Sequence, residues 1–222
     1  MEDRVQLVLV PGLGADYRQW QPQRIAFPRL LVPAWIPPLP RDTLPSYAAR
    51  MAETIPREKP VVLGGSSFGG MLASEMAKHL QPNAVILIGS CRSPTCLPQT
   101  VRLICPVLCK VPRWGITLAK SLAPLGVQMF RDLSPGARRL CATMFQESDP
   151  YFVKWAIGAI LRWKPTQLDG MPIRHIHGRK DRMILAARAT ADCVIPDGGH
   201  LINLSHFEQV NDFIRSVLAA VE

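Results

Sequence analysis

The sequence predicts an α/β fold: a mostly parallel central sheet flanked by helices, with a small helical insertion. Three observations predict it. Short apolar runs alternate with longer stretches of helical periodicity, several of those runs stop at Gly or Pro, and one internal segment differs from both flanks in charge. Strands buried on both faces read as continuous apolar runs, and their alternation with helices implies right-handed crossovers. The 222 residues suit one such domain, and 48% hydrophobic against 19% charged residues leaves ample material for a core. That balance excludes a disordered or fibrous chain.

In chain order, strands are expected at 5–10, 29–32, 61–63, 84–88, 173–176 and 193–195, most of them short apolar runs. Nine prolines between Pro22 and Pro60 exclude long regular elements before a helix around 46–54. A second helix is expected from Phe68 to Leu80. A last amphipathic helix is expected over 205–221, with Ser205 and Glu208 spaced as a capping box. Between the fourth apolar run and residue 165, helical windows at 102–108, 116–122, 138–145 and 152–163 are separated by prolines. The expected division is a core of residues 1–90 and 166–222, with 91–165 as a helical cap.

Charge supports that division. The chain carries 26 Lys+Arg against 17 Asp+Glu, a net charge of +9. Residues 91–165 hold 11 basic and 3 acidic side chains (Asp132, Glu147, Asp149), a net of +8, and five of the six cysteines. Basicity confined to a cap reads as steering of an anionic substrate, or as peripheral contact with an acidic membrane face. Aromatic residues are only 7% and no nucleic-acid-binding motif is present, so no nucleic-acid partner is expected. No apolar run approaches the roughly 20 residues that span a bilayer. The start, Met1-Glu2-Asp3-Arg4, has no basic leader before a hydrophobic stretch. A cytoplasmic chain with reduced thiols is the expectation.

The segment Val61-Val62-Leu63-Gly64-Gly65-Ser66-Ser67-Phe68-Gly69-Gly70 satisfies G-x-S-x-G in a single register, with Ser67 at its centre. A strand entering the motif and a helix leaving it form a nucleophile elbow. Ser67 would occupy a strained turn, side chains at 65 and 69 would collide with neighbouring backbone, and the helix would aim its positive end at a developing oxyanion. The Pro11-Gly12-Leu13-Gly14 loop after the first strand would lie beside it, so the N–H groups of Leu13 and Phe68 are the candidate oxyanion hole. Asp181 follows the strand at 173–176, and His200 lies in a glycine-flanked loop after the last strand. Asp197 is a rival carboxylate, whereas Asp192 begins a strand and so lies at the wrong end of the sheet. His175 and His177 share a strand face without a third ligand, so they read as a packed pair; no metal and no cofactor are expected. Asp16 and Trp20, just past the first loop, are candidate pocket residues. Trp114, Trp155 and Trp163 in the cap could line an apolar acyl pocket. Cys105 and Cys109, one helical turn apart without nearby histidines, read as thiols rather than ligands.

The order Ser67…Asp181…His200, the Gly12-Leu13 loop, His177-Gly178-x-x-Asp181 and Gly198-Gly199-His200 together resemble the α/β-hydrolase superfamily, close to its compact esterase-like members. The likeness covers roughly residues 5–90 and 170–220. It departs where family members usually carry His before the first-loop glycine; this chain has Pro11. The resemblance implies an α/β-hydrolase fold and a serine hydrolase acting on a small ester or thioester acyl substrate, anionic ones included, through an acyl-enzyme. C–C bond hydrolysis and acyl transfer use the same scaffold. A basic module binding an anionic membrane or nucleic acid, or an inactive hydrolase fold serving interaction, are the readings of another class.

Overall fold

A computed structural model describes residues 4–99 and 111–221. From the amino end, β1 (Gln6–Val10) leads through a 3-10 turn (Tyr17–Trp20) to α1 (Gln21–Ala26) and α2 (Leu44–Ala52). Then come β2 (Val61–Ser66), α3 (Phe68–Leu80) and β3 (Ala84–Ile88). The long connection after β3 carries α4 (Arg113–Ser121), α5 (Ala123–Gly126), α6 (Pro135–Glu147) and α7 (Pro150–Arg162), and ends at β4 (Ile173–Gly178). The chain closes with α8 (Ala186–Ala189), β5 (Cys193–Ile195), α9 (Ile202–Ser205) and α10 (Phe207–Val221).

The strands form one parallel sheet in the order β1-β2-β3-β4-β5. Its register pairs Val8 with Leu63, Leu63 with Val85, Leu87 with His175 and Ile176 with Cys193. Alternate side chains serve opposite faces, as the two-residue strand period requires. Val8, Val10, Leu63, Val85 and Leu87 pack with α2, α3 and the inward side of α7. Leu7, Leu9, Val62, Ile86 and Ile88 pack with Trp20, Phe27 and the Val210–Ile214–Val217 stripe of α10. This is the parallel sheet flanked by helices expected from the sequence.

Three expectations are corrected. The strand at 29–32 contracts to a single bridge, Leu31 to Val8, held by Leu31 N–H to Leu7 O and Leu9 N–H to Leu31 O, each 3.0 Å. Pro28 and Pro33 flank it and lack the N–H groups that further pairing needs. The bridge nonetheless places Leu31 on one side of β1 and β2 on the other. The connections therefore reverse direction at β1, and such a switch point opens a crevice at the strands' carboxyl ends. Second, the Ser205–Glu208 capping box does not form. Ser205 closes α9 and its hydroxyl meets His206 Nδ1 at 2.8 Å; α10 starts only at Phe207. Third, β4 runs through His177 to Gly178 rather than stopping at Ile176, so both histidines lie within the strand.

In the β3–β4 connection, Pro124, Pro135 and Pro150 sit in the first turns of α5, α6 and α7, where a missing N–H costs nothing. The expected helix at 102–108, with Cys105 and Cys109, lies outside the described residues. Cys91, Cys96, Cys141 and Cys193 are free thiols. Trp155 and Trp163 are buried, donating to Asp42 O at 3.0 Å and Glu75 Oε1 at 2.7 Å. Trp114 faces outward, against the expectation that it would line a pocket. Among the described residues no helix is long and apolar enough to cross a membrane.

Candidate active site

Ser67 stands between β2 and α3 with φ 53° and ψ −122°, a backbone conformation that L-residues avoid. The surroundings enforce it. A Cβ on Gly65 would run into the Gly69 carbonyl group, and one on Gly69 would run into the carbonyl oxygens of Val10 and Pro11. Glycine at both positions lets α3 start directly against β1 and β2. Ser67 N–H donates to Ile88 O at 3.2 Å, while its carbonyl accepts from Ser90 Oγ at 2.6 Å and from Gly70 N–H at 3.0 Å. Ser66, its neighbour, is fully buried and its hydroxyl has no partner. Ser67 is half-buried.

Beside the elbow, the Gly12–Gly14 loop is pinned by Gln19, whose Oε1 accepts from Gly12 N–H at 2.6 Å. Gln19 O in turn accepts from Asn203 Nδ2 at 3.0 Å, and Gln23 bonds Asn203 O and Asn211. This buried amide chain fixes the loop to α9 and α10. Among the described residues, neither Leu13 N–H nor Phe68 N–H is spent on a hydrogen bond. Phe68 heads α3, where the first N–H groups have no partner within the helix.

His200 joins the two halves of the site. Its Nε2 lies 3.0 Å from Ser67 Oγ and its Nδ1 2.7 Å from Asp181 Oδ2. Asp181 Oδ1 accepts from the N–H groups of Met183 and Ile184 at 2.7 and 2.9 Å. Burial by itself would raise the Asp181 carboxyl. Attraction to His200, together with hydrogen bonds from His177, His200 and Ile184 N–H, outweighs it and holds the carboxyl well below the usual carboxylate range. Asp197, the rival carboxylate, is instead exposed and paired with Lys180 Nζ at 2.6 Å. Asp192 accepts from His175 N–H at 2.7 Å, at the far end of β4.

The histidine pair in β4 buttresses Asp181. His177 Nε2 lies 3.1 Å from Asp181 Oδ2 and 2.9 Å from Ile184 O, two acceptors that require a proton on that nitrogen. Burial, with the neighbouring His177 and Arg92, lowers His175 to about 3. It is therefore neutral and donates from Nε2 to His177 Nδ1 over 3.1 Å. The H-x-H spacing showed two residues on one strand face; their support of Asp181 depends on the turn after β4.

The β3–β4 connection reaches the His200 loop at two points the sequence did not indicate, and the 3-10 turn after β1 at a third. Asp132 Oδ2 accepts from Gly199 N–H at 2.9 Å, holding the loop that carries His200. Phe130 stacks on the His200 ring, centroids 6.3 Å apart at 21°. Arg18 ties its paired Asp16 to Glu147 at the end of α6, at 2.5 Å. Beside His200 opens a cleft of about 130 Å³ whose walls include Met129, Phe130 and Met183, with Arg131 and Arg182. The candidate pocket residues are elsewhere. Trp20 is wholly enclosed with Phe27 and α10, because the 3-10 turn directs its ring under the sheet. Asp16 caps that turn and pairs with Arg18, outside this cleft.

Residues 7–213 match the model of the alpha/beta hydrolase family. The chain belongs to that family. No curated protein matches it in sequence. Among solved structures, this hydrolase-family chain is similar to a thermophilic esterase from Thermogutta terrifontis, at 21% identity and TM-score 0.71 over 98% of this chain and 90% of that one. It is also similar to MenH from S. aureus, at 16% identity and TM-score 0.70 over 98% and 94% of the two chains. A hydrolase from Pseudomonas aeruginosa PA01 gives 16% identity and TM-score 0.70 over 97% and 90%. At these identities the likeness is one of fold.

Proposed function

We propose that the protein is a serine hydrolase acting on ester or thioester acyl substrates, with Ser67, His200 and Asp181 as its catalytic triad. The observation that carries this reading is His200, bridging Ser67 Oγ and Asp181 Oδ2 at 3.0 and 2.7 Å. Asp181, acceptor-only in its charged form, keeps the His200 proton on Nδ1 and leaves Nε2 to take the proton of Ser67 Oγ. Ser67 Oγ then attacks the acyl carbonyl, and the resulting oxyanion receives the N–H groups of Leu13 and Phe68, aided by the positive end of α3. His200 returns the proton to the leaving group, and the ester bond to it breaks. A water deprotonated by His200 next attacks the acyl-enzyme, releasing the acid and restoring the Ser67 hydroxyl. Asp181 balances the imidazolium in both steps, with His177 holding the carboxylate in place.

In this reading residues 91–165 form a cap inserted into a core of 1–90 and 166–222, and the cap completes the site through Phe130 and Asp132. The test is Ser67→Ala. Turnover of p-nitrophenyl esters is expected to fall at least about 10³-fold, and labelling by a fluorophosphonate probe to vanish. Ser66→Ala keeps the labelling. Full labelling of Ser67→Ala overturns the assignment. A parallel panel of acyl-CoA thioesters, acyl acceptors and C–C substrates separates hydrolysis of esters from the other reactions this scaffold supports.

A further inference from the structure

Soluble domains keep large apolar side chains off their helices' outer faces, yet α4 does the reverse. Ile116 and Lys120 point inward, while Trp114 and Leu118, one turn apart, point out. The ridge continues through Leu122, Leu125 and Met129, at spacings of four, three and four residues. All five are between 51% and 72% exposed, and they are half of the ten large apolar side chains exposed among the described residues. None of the five belongs to the small buried cluster of these helices, which Ala123, Val127 and Ala142 form. Met129 also lines the cleft beside His200, so the ridge ends at that cleft.

Charge selects the occupant. Arg131 and Arg139 are exposed beside the ridge, Asp132 is the one acidic residue of 111–146, and Glu147 just beyond it is paired with Arg18. A second copy would bring the same positive charge against this face within a chain already at +9, and repel it. An apolar ridge with a terminal Trp and basic flanks has the character of an element that lies in the headgroup layer of a bilayer. We propose that the Trp114–Met129 face docks on an anionic phospholipid surface and sets the cleft beside His200 at the bilayer. The docking itself is independent of the serine hydrolase reading; the delivery of a membrane-borne ester to the site rests on it.

The experiment is co-sedimentation of the full chain with vesicles of phosphatidylcholine and phosphatidylserine in equal parts, and with phosphatidylcholine alone. Binding is expected to the mixed vesicles, to weaken as salt is raised, and to shift the emission of Trp114, the one exposed tryptophan among the described residues, to the blue. The triple variant Trp114→Ser, Leu118→Ser, Leu125→Ser should bind at least about tenfold more weakly and keep its turnover of a short soluble ester, because none of the three touches the site. Ser67→Ala should bind as the unaltered chain does, so loss of chemistry and loss of docking are read separately. Equal binding of the triple variant, no binding of the folded chain to mixed vesicles, or self-association that the triple variant abolishes would each overturn the proposal, the last by assigning the face to a second copy.

Discussion

The carboxyl edge of the sheet and the helical connection between β3 and β4 obey different rules. At the edge, Gly65 and Gly69 leave no room for a methyl group, Ser67 is held at φ 53°, and nearly every polar atom of Asp181 and His200 has a named partner. In the connection, Gly126 sits in ordinary helical geometry (φ −59°, ψ −39°) with nothing near its absent Cβ, and large apolar residues face solvent. The contrast teaches where this chain invests in geometry: the candidate site is held by close contacts, whereas the outer helices leave open space at Gly126 and present apolar surface.

Three substitutions or conditions would break or sharpen that contrast. The largest effect is expected at the edge. Gly69→Ala drives a methyl group into the carbonyl oxygens of Val10 and Pro11, which belong to β1 and the loop after it. A loss of about 3 kcal/mol or more in urea unfolding, with loss of esterase turnover, is expected. Unchanged stability would mean that the elbow can yield where the geometry says it cannot.

The next effect is set by pH and belongs to the edge alone, since all five histidines lie outside residues 91–165. His175 is fully buried and lowered to about 3, so below its ordinary value the unfolded chain takes up a proton that the folded chain refuses. Folding stability therefore falls as pH drops from about 6.5, with a contribution from this residue of about 2 kcal/mol by pH 5. Asp181 acts in a lower window: its depressed carboxyl stabilises the fold above the ordinary carboxylate value, and that share is lost only as pH falls through and below it. Denaturation curves at pH 7 and 5 for the unaltered chain and for His175→Gln measure the difference. A slope that survives the substitution would place the titration elsewhere.

The smallest effect has the opposite sign. Gly126→Ala adds a methyl group in open space and restricts only the unfolded chain, so a gain of roughly 0.5–1 kcal/mol in stability is expected, with ester turnover unchanged. A loss at Gly126 would show that the connection is packed as tightly as the edge.

Much of the edge was legible from residue types because its constraints are local. G-x-S-x-G specifies a tight strand-to-helix turn within five residues, and apolar runs located β1, β3 and β5 to within a residue at each end. Pro28 and Pro33 were in view as well, but whether Leu31 would extend into a strand depended on how much of β1 it could reach. The amide chain of Gln19, Asn203, Gln23 and Asn211 carries no sequence signature, since each is an ordinary polar residue until 180 or more residues of chain bring it to the others.

By itself, then, the sequence determined the parallel α/β layout, the elbow at Ser67 and the chain order of Ser67, Asp181 and His200, because strand period, glycine spacing and strand-end position are properties of short stretches. Only the tertiary structure decided that His177 braces Asp181, that Asp132 and Phe130 reach the His200 loop, that Trp20 is buried and that Trp114 is not. The physical reason is the same in each case. A helical or strand period shows that an element has two faces and which residues share one, but what each face meets depends on elements far away in sequence, and apolar spacing reads identically whether the stripe meets a core or stands at the surface.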